Sequence, residues 1–399
     1  MTEKAIEINL SALKKNWAVL SLILIFLLSF YVRTYTFHYN YLLNVDSYFE
    51  YRYMNFIVKY GEIPDKDYYM VVPEGLPTQG NRVDIPYQWL GAYMYFITRV
   101  VFPGMELWQF LIYLPALIAS LMVIPAYYIG KCIYDKKAGV LLAFFMVFNQ
   151  NIFMRSIGGD PDTDAIVMLL PLITMALFLL AFKSLEKENK PFNKKAIVLS
   201  MLSGAFLAVF AYTWVGYWYM LYLIAGFVFL KIVVDMITSF GKARKRETLK
   251  SNIPLIANFA LFLLVFFAIT LPVYSFDPFS FIGATHLKAE TGKYPNVFVS
   301  VQEMMTGGDY KETIQRAGTT FFFLTFVLCL PYLLITYLKS RKHLDTALLI
   351  LIWSCGALFA AVFAVRFGIL LAIPISLGSA IVLAKIWRMA LGEDKEIFE

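Results

Sequence analysis

Gly158–Leu172 reads GGDPDTDAIVMLLPL, and it sets three aspartates, Asp160, Asp162 and Asp164, directly against an apolar run. The apolar part has the composition of a membrane-crossing helix, so the acids stand at its mouth. A single aspartate there would serve as an N-cap, accepting hydrogen bonds from the first free N–H groups of the helix. Several together are a different matter. Two carboxylates about 4 Å apart at an effective dielectric of about 20 repel by roughly 4 kcal/mol. Something positive has to sit among them.

The rest of the chain gives the apolar run its meaning. Of 399 residues, 60% are hydrophobic, 17% aromatic and only 16% charged, against about 25% charged in soluble domains. The expected class is an all-α polytopic membrane protein. A crossing helix needs about 20 apolar residues. Ten runs approach this: 16–37, 108–130, 138–154, 164–183, 195–214, 216–236, 253–274, 320–339, 345–364 and 366–388. A shorter apolar patch, YQWLGAYMYFITRVVF at 87–102, is predicted to be an interfacial or half-inserted helix. The first run is too long for a signal-peptide core and lacks a small-residue cleavage site, so it reads as the first span. The three cysteines, Cys132, Cys329 and Cys355, lie in or beside apolar runs and outline neither a disulfide framework nor a zinc site.

The net charge of +7 points to topology rather than to nucleic acid, because the basic residues gather in short loops. Lys14–Lys15, KCIYDKK (131–137), KSLEKENKPFNKK (183–195), GKARKRETLK (241–250), KSRKH (339–343) and Lys385 with Arg388 all fall on one side if the runs alternate. By the positive-inside rule that side is cytoplasmic. The other, external side then holds two long loops, about 38–107 and 275–319, and short connections at 155–163, 214–216 and 364–366. It also collects the unusual charges: Asp46 in NVDSYFEYR, the aspartate cluster, Glu303 in VSVQEMMTGG, and Arg366 in AVRFGILLAIPI.

The chemistry of this set is that of an oxygen-ligated metal and a phosphate. Asp162-Thr163-Asp164 is a D-x-D element, which alone is equally consistent with a helix cap. A divalent cation would remove the repulsion of the pair, and all-oxygen ligands favour magnesium or manganese over zinc. Asp160 is set apart from the more regular pair by Pro161. Asp46 has an ordinary reading as a solvated loop acid, followed by an amphipathic aromatic stretch that suits a helix at the interface. Glu303 is as ordinary by itself, with Glu312 a nearby solvated alternative. Arg366 opens a long apolar run, where a charge is costly unless it reaches water or an anion; its ordinary reading is a snorkelling arginine. Metal, carboxylates and an arginine on the external face together point to a transferase that draws a polyprenyl-phosphate donor from the bilayer.

In order along the chain, NVDSYFEYR, MRSIGGDPDTDAI, AYTWVGYWYM, SVQE and AVRFGILLAIPI resemble the catalytic subunit of oligosaccharyltransferase, the enzyme of asparagine-linked glycosylation. The resemblance covers about residues 40–385, and its SVxE signature is closer to archaeal and eukaryotic members than to bacterial ones. It implies a GT-C type glycosyltransferase transmembrane domain with Mn2+ or Mg2+ as cofactor. The implied partners are a lipid-linked oligosaccharide donor, an acceptor polypeptide and membrane lipid, with no nucleic acid. It implies that Asp46 touches both metal and acceptor amide, and that Asp162 and Asp164 are metal ligands. By the same resemblance Arg155 lies near donor and acids, Glu303 engages the acceptor asparagine, and Arg366 holds the pyrophosphate.

Two departures accompany it. The family has about thirteen spans followed by a large external domain with a WWDYG-type motif that reads the Ser or Thr of the acceptor sequence. Residues 1–399 contain no WW pair and end at GEDKEIFE on the predicted cytoplasmic side, so a transmembrane catalytic domain without the external reading domain is expected. Other readings stay open on the sequence alone. A related transferase using a polyprenyl monophosphate sugar would lack the SVxE loop. A cation channel or transporter would place its acids in mid-span. A non-catalytic remnant or assembly subunit is the third, encouraged by the expected absence of the external domain.

Overall fold

The computed structural model describes residues 10–35, 37–70, 72–78, 86–188, 193–238, 245–272, 310–340, 343–363 and 367–393. Glu303 and Arg366 lie outside the described residues. The first helix, α1 (Leu10–Tyr35), leads into a small module of α2 (Val45–Tyr60), the two-residue strands β1 (Lys66–Asp67) and β2 (Leu76–Pro77), and α3 (Pro86–Val101). The bundle continues with α4 (Leu107–Leu121), α5 (Val123–Ile133), α6 (Lys136–Phe148), α7 (Gln150–Met154), α8 (Asp164–Glu188) and α9 (Lys194–Thr213). It closes with α10 (Trp218–Thr238), α11 (Lys245–Thr270), α12 (Tyr310–Ser340), α13 (Leu344–Phe363) and α14 (Gly368–Ala390). The patch at 87–102 is the helix α3. In the first module the Arg52 guanidinium grips buried Asp67 with two bonds of 2.6 and 2.8 Å, fastening β1 to α2.

Among the described residues nine helical segments are long and apolar enough to cross a membrane. The expected tenth, 138–154, is not one of them. Its helix α6 has 13 residues and stops at Asn149, whose side chain accepts from the Asn151 N–H (3.1 Å) and caps α7 instead. At 1.5 Å per residue, 13 residues rise only about 20 Å, against a hydrocarbon core of about 30 Å. At the far end of α6 the Val147 carbonyl meets Arg33, two residues from the end of the span Asn16–Tyr35. The break at Asn149–Asp164 therefore lies against the end of α1, and its buried backbone outside a helix needs protein partners.

Burial is uneven, and the pattern locates the acids. The most apolar window of α8 is 83% buried and that of α14 78%, whereas those of α1 and the Gly318–Lys339 part of α12 are 22% buried. A helix apolar on all faces belongs inside; α8 is that helix, and Asp164 is its first residue. Behind it, α5 and α6 meet almost backbone to backbone. A Cβ at Gly130 would lie 2.7 Å from the Ala138 carbonyl oxygen, and one at Gly139 2.6 Å from that of Tyr127. Small residues allow this approach in membranes.

Overpacking costs about 1–3 kcal/mol, so Gly139→Leu should lower the melting temperature of the detergent-solubilised protein clearly. Gly356→Ala, where an added Cβ meets open space, should leave it unchanged or raise it. Equal melting of the two variants would contradict the close α5–α6 packing.

Candidate active site

The site is assembled from two turns that pin each other. Asn44 has extended backbone, and its Oδ1 accepts from the Ser47 N–H (2.9 Å), capping α2. The cap puts Asp46 in the first turn, exposed, at the positive end of the helix. One turn further on the same face stands Glu50, buried. The Ser47 hydroxyl donates to Asp160 Oδ1 (2.8 Å), and the Asn44 amide donates to the same oxygen. The Leu43 N–H donates to the Gly159 carbonyl (2.9 Å). The first loop is thereby stitched to the aspartate loop.

The aspartate loop is held from three sides. The Gly158 N–H donates to the Arg33 carbonyl and the Gly159 N–H to that of Ile112, both at 2.9 Å. Gly159 has φ +84°, and a Cβ there would overlap the Phe37 ring, so only glycine fits. The Tyr87 hydroxyl donates to the Pro161 carbonyl (3.0 Å). Asp162 Oδ1 accepts from the Thr163 N–H (2.6 Å) and hydroxyl (3.2 Å). Asp164 pairs with Arg155 at 2.8 Å, in a largely shielded position.

Arg155 owes its place to a second arginine. Arg33, near the end of α1, is fully buried. Its Nε donates to Ser156 Oγ (3.1 Å), its Nη1 to Ser29 Oγ (2.7 Å) and its Nη2 to the Val147 carbonyl, and its guanidinium lies 4.6 Å from the centre of the Phe153 ring. One side chain thus grips the chain on both sides of α7, and its own carbonyl receives Gly158. Polar backbone of the break is paired in this way, and Arg155 is aimed at Asp164.

The fields of these acids reach one another. Burial, then the nearby Asp162 charge, push the Glu50 carboxyl up to about 8; the Gln88 amide, donating at 2.7 Å, opposes the rise, and Asp46 adds to it. Burial also raises the Asp160 carboxyl, with Asp164 and Asp46 adding and the Ser47 and Asn44 hydrogen bonds opposing. The structure therefore brings Asp46, Arg155, Asp162 and Asp164, each named from the sequence, into one neighbourhood. Among the described residues no three Asp, Glu, His or Cys groups are grouped closely enough to hold a metal ion. The donor chemistry nonetheless fits a hard divalent cation: the groups are all oxygen, mutually repelling, and gathered by independent hydrogen bonds.

Sequence reading missed Arg33, Glu50, Gln88, Asn44 and Ser47, and set Asp160 aside. Arg33 was readable: it is the one charge inside SFYVRTY, by the same logic that singled out Arg366. Glu50 was not, because its burial depends on α3 packing against α2.

Two outcomes follow. Glu50 is raised in the folded protein from an ordinary value of about 4.3. The stability tied to its protonated form is complete below that value and is lost as pH rises toward about 8. In chelator-treated protein, Glu50→Gln should melt progressively above wild type from pH 5 to pH 8; a gap independent of pH would contradict this. Hydrogen bonds to charged groups are worth about 1.5–3 kcal/mol, so Arg33→Lys should speed hydrogen exchange at Gly158 and Gly159 about tenfold or more while sparing α11. Unchanged exchange there would refute the clamp.

Residues 17–393 match the family described as "Oligosaccharyl transferase STT3, N-terminal". A dolichyl-phosphooligosaccharide-protein glycotransferase of Methanococcus voltae is 22% identical over 347 residues, covering 79% of this chain and 37% of that protein. The archaeal oligosaccharyltransferase AglB of Archaeoglobus fulgidus, solved with an inhibitory peptide and a dolichol-phosphate, superposes with a TM-score of 0.70 at 15% identity, over 97% of this chain and 52% of its own. An oligosaccharyltransferase of the same organism has been solved with an acceptor peptide containing the NVT sequon and with Zn and sulfate. ArnT of Cupriavidus metallidurans, bound to undecaprenyl phosphate, superposes at 0.52 with 15% identity, over 95% of this chain and 62% of that one. The chain spans about half the length of AglB. Its fold is the GT-C type of these membrane glycosyltransferases.

Proposed function

Given that the chain belongs to the oligosaccharyl transferase STT3 family, we propose that it is the transmembrane catalytic part of an oligosaccharyltransferase. It moves a glycan from a dolichyl-type polyprenyl phosphate or pyrophosphate to the asparagine of Asn-x-Ser/Thr on the external membrane face. The observation that carries this reading is the stitching of the Asn44–Ser47 turn, which carries Asp46, to the Asp160–Asp164 loop, with Arg155 beside it, at the mouth of the most buried helix. The M. voltae relative's name and the dolichol-phosphate bound to AglB support the donor class, and the NVT peptide the acceptor class.

Asp46, Asp162 and Asp164 are the residues to hold Mn2+ or Mg2+, which when bound would offset charge on the departing phosphate. Arg155 holds Asp164 in place and contributes positive charge near the donor. An amide nitrogen is a poor nucleophile, because its lone pair is delocalised; for a peptide bond, losing that conjugation by rotation costs about 18–20 kcal/mol. Asp46 and Glu303, accepting the two side-chain N–H bonds of the asparagine, would hold the amide in a more reactive state. Arg366 would grip the pyrophosphate with its planar fork, which lysine cannot reproduce. The roles of Glu303 and Arg366 rest on the SVQE and AVRF segments of the sequence.

The test uses the full chain in nanodiscs. A polyprenyl phosphate- or pyrophosphate-linked oligosaccharide should bind in a manganese-stimulated manner, about tenfold more weakly in Arg366→Ala and to an intermediate degree in Arg366→Lys, as expected for losing about 1.4 kcal/mol or more of charged hydrogen bonding. A polyprenyl phosphate carrying a single sugar should compete poorly with the oligosaccharide-linked donor. Wild-type affinity in Arg366→Ala, or preference for the single-sugar donor, would overturn the reading.

A further inference from the structure

The connection between α1 and α2 faces the turn between α3 and α4 across a cavity of about 660 Å3, within the ~300–1,000 Å3 range of small-ligand sites. Its wall presents Tyr39, Trp108 and Tyr113 together with His38, Asn40 and Gln109, and the described residues that line it include no Asp, Glu, Lys or Arg. The aromatic platform is preset by a capping box at the start of α4. Gln109 Oε1 accepts from the Glu106 N–H (2.8 Å), and Glu106 Oε2 accepts from the Trp108 indole (2.6 Å). Gln109 is thereby held by its oxygen, leaving its Nε2 protons for a ligand.

The lining selects by elimination. Among the described residues of the lining, a phosphate or carboxylate finds no Lys or Arg, and a cation no carboxylate. A plain acyl chain would bury the Asn40, Gln109 and His38 groups unpaired, which costs free energy without a compensating hydrogen bond. A neutral ligand rich in hydroxyls meets every feature. Its hydroxyls both donate and accept, as amides and imidazole do, and its apolar faces lie on aromatic rings. We propose that this cavity binds a neutral saccharide unit. The cavity also shares a wall with the acidic loop: Phe37 and Ile112 line it, and they are the residues packed on and hydrogen-bonded to Gly159. The sugar can come from the glycan of the donor, a source that rests on the transferase reading, or from the headgroup of a membrane glycolipid.

Equilibrium dialysis of a panel of labelled neutral disaccharides, maltose included, against the full chain in phosphatidylcholine nanodiscs tests the site. At least one should bind saturably and change Trp108 emission, and its affinity should fall about tenfold in Gln109→Leu and in Tyr39→Ala, both at unchanged melting temperature; tenfold corresponds to about 1.4 kcal/mol, the size of one hydrogen bond. Glucose 6-phosphate should bind more weakly. Asp162→Asn should retain sugar binding, which separates failure here from failure of the transferase reading. Displacement by a lipid-linked oligosaccharide identifies the donor as the source, and displacement only by dodecyl maltoside identifies a glycolipid. Absence of saturable binding by any free or alkyl-linked sugar, or binding indifferent to both variants, overturns the proposal.

Discussion

Carboxylates gathered in a partly desolvated place are the constraint on which this structure turns. Asp46, Glu50, Asp160, Asp162 and Asp164 feel one another's charge, and repulsion of that kind would scatter them in a loose loop. They are held because the scaffold surrounds them with neutral hydrogen-bonding groups, namely the hydroxyl of Ser47, the amides of Asn44 and Gln88, and the backbone of Arg33 and Ile112. Such bonds fix geometry without cancelling charge. Arg155 pairs with Asp164, and the mutual repulsion of the acids is the electrostatic basis of the cation site proposed above.

The break after α6 explains why so much of the scaffold converges there. Because α6 stops at Asn149, its connection to α8 leaves backbone groups outside a helix, and those that are buried need protein partners. Arg33 answers that need from within α1, with a buried cation whose partners in the fold are hydroxyls, carbonyls and an aromatic ring. The same anchoring that satisfies the backbone aims Arg155 at Asp164. Structural necessity and site geometry are here the same set of contacts, so a change at Arg33 reaches the acids without touching them.

What could be read in advance depended on the range of the interaction. Spans, loop charge and the D-x-D element follow from local composition, and α8, α9, α10, α13 and α14 fall close to their expected limits. The polar FNQN inside 138–154 was a local signal that this run would break, but averaging over the apolar residues around it hid it. Arg33 was hidden in the same way, absorbed into the first span. Glu50, Gln88 and the pinning of Asp160 by Asn44 and Ser47 join residues far apart in the chain. No pattern along a single sequence announces pairings of that kind, because they depend on how α2 and α3 dock against the aspartate loop.

The GT-C likeness to AglB and ArnT, at 15% identity each, is a likeness of scaffold, and the acids must justify their own role. The direct measurement is electron paramagnetic resonance of Mn2+ added to the chelator-treated, purified chain. The account predicts one tightly held ion per chain in an all-oxygen environment, with the bound signal lost when Asp162 and Asp164 are both asparagine and retained when the surface acid Glu186, near the opposite end of α8 from Asp164, is replaced by glutamine. Binding that is absent in the wild type, or unchanged in the double variant, would contradict it.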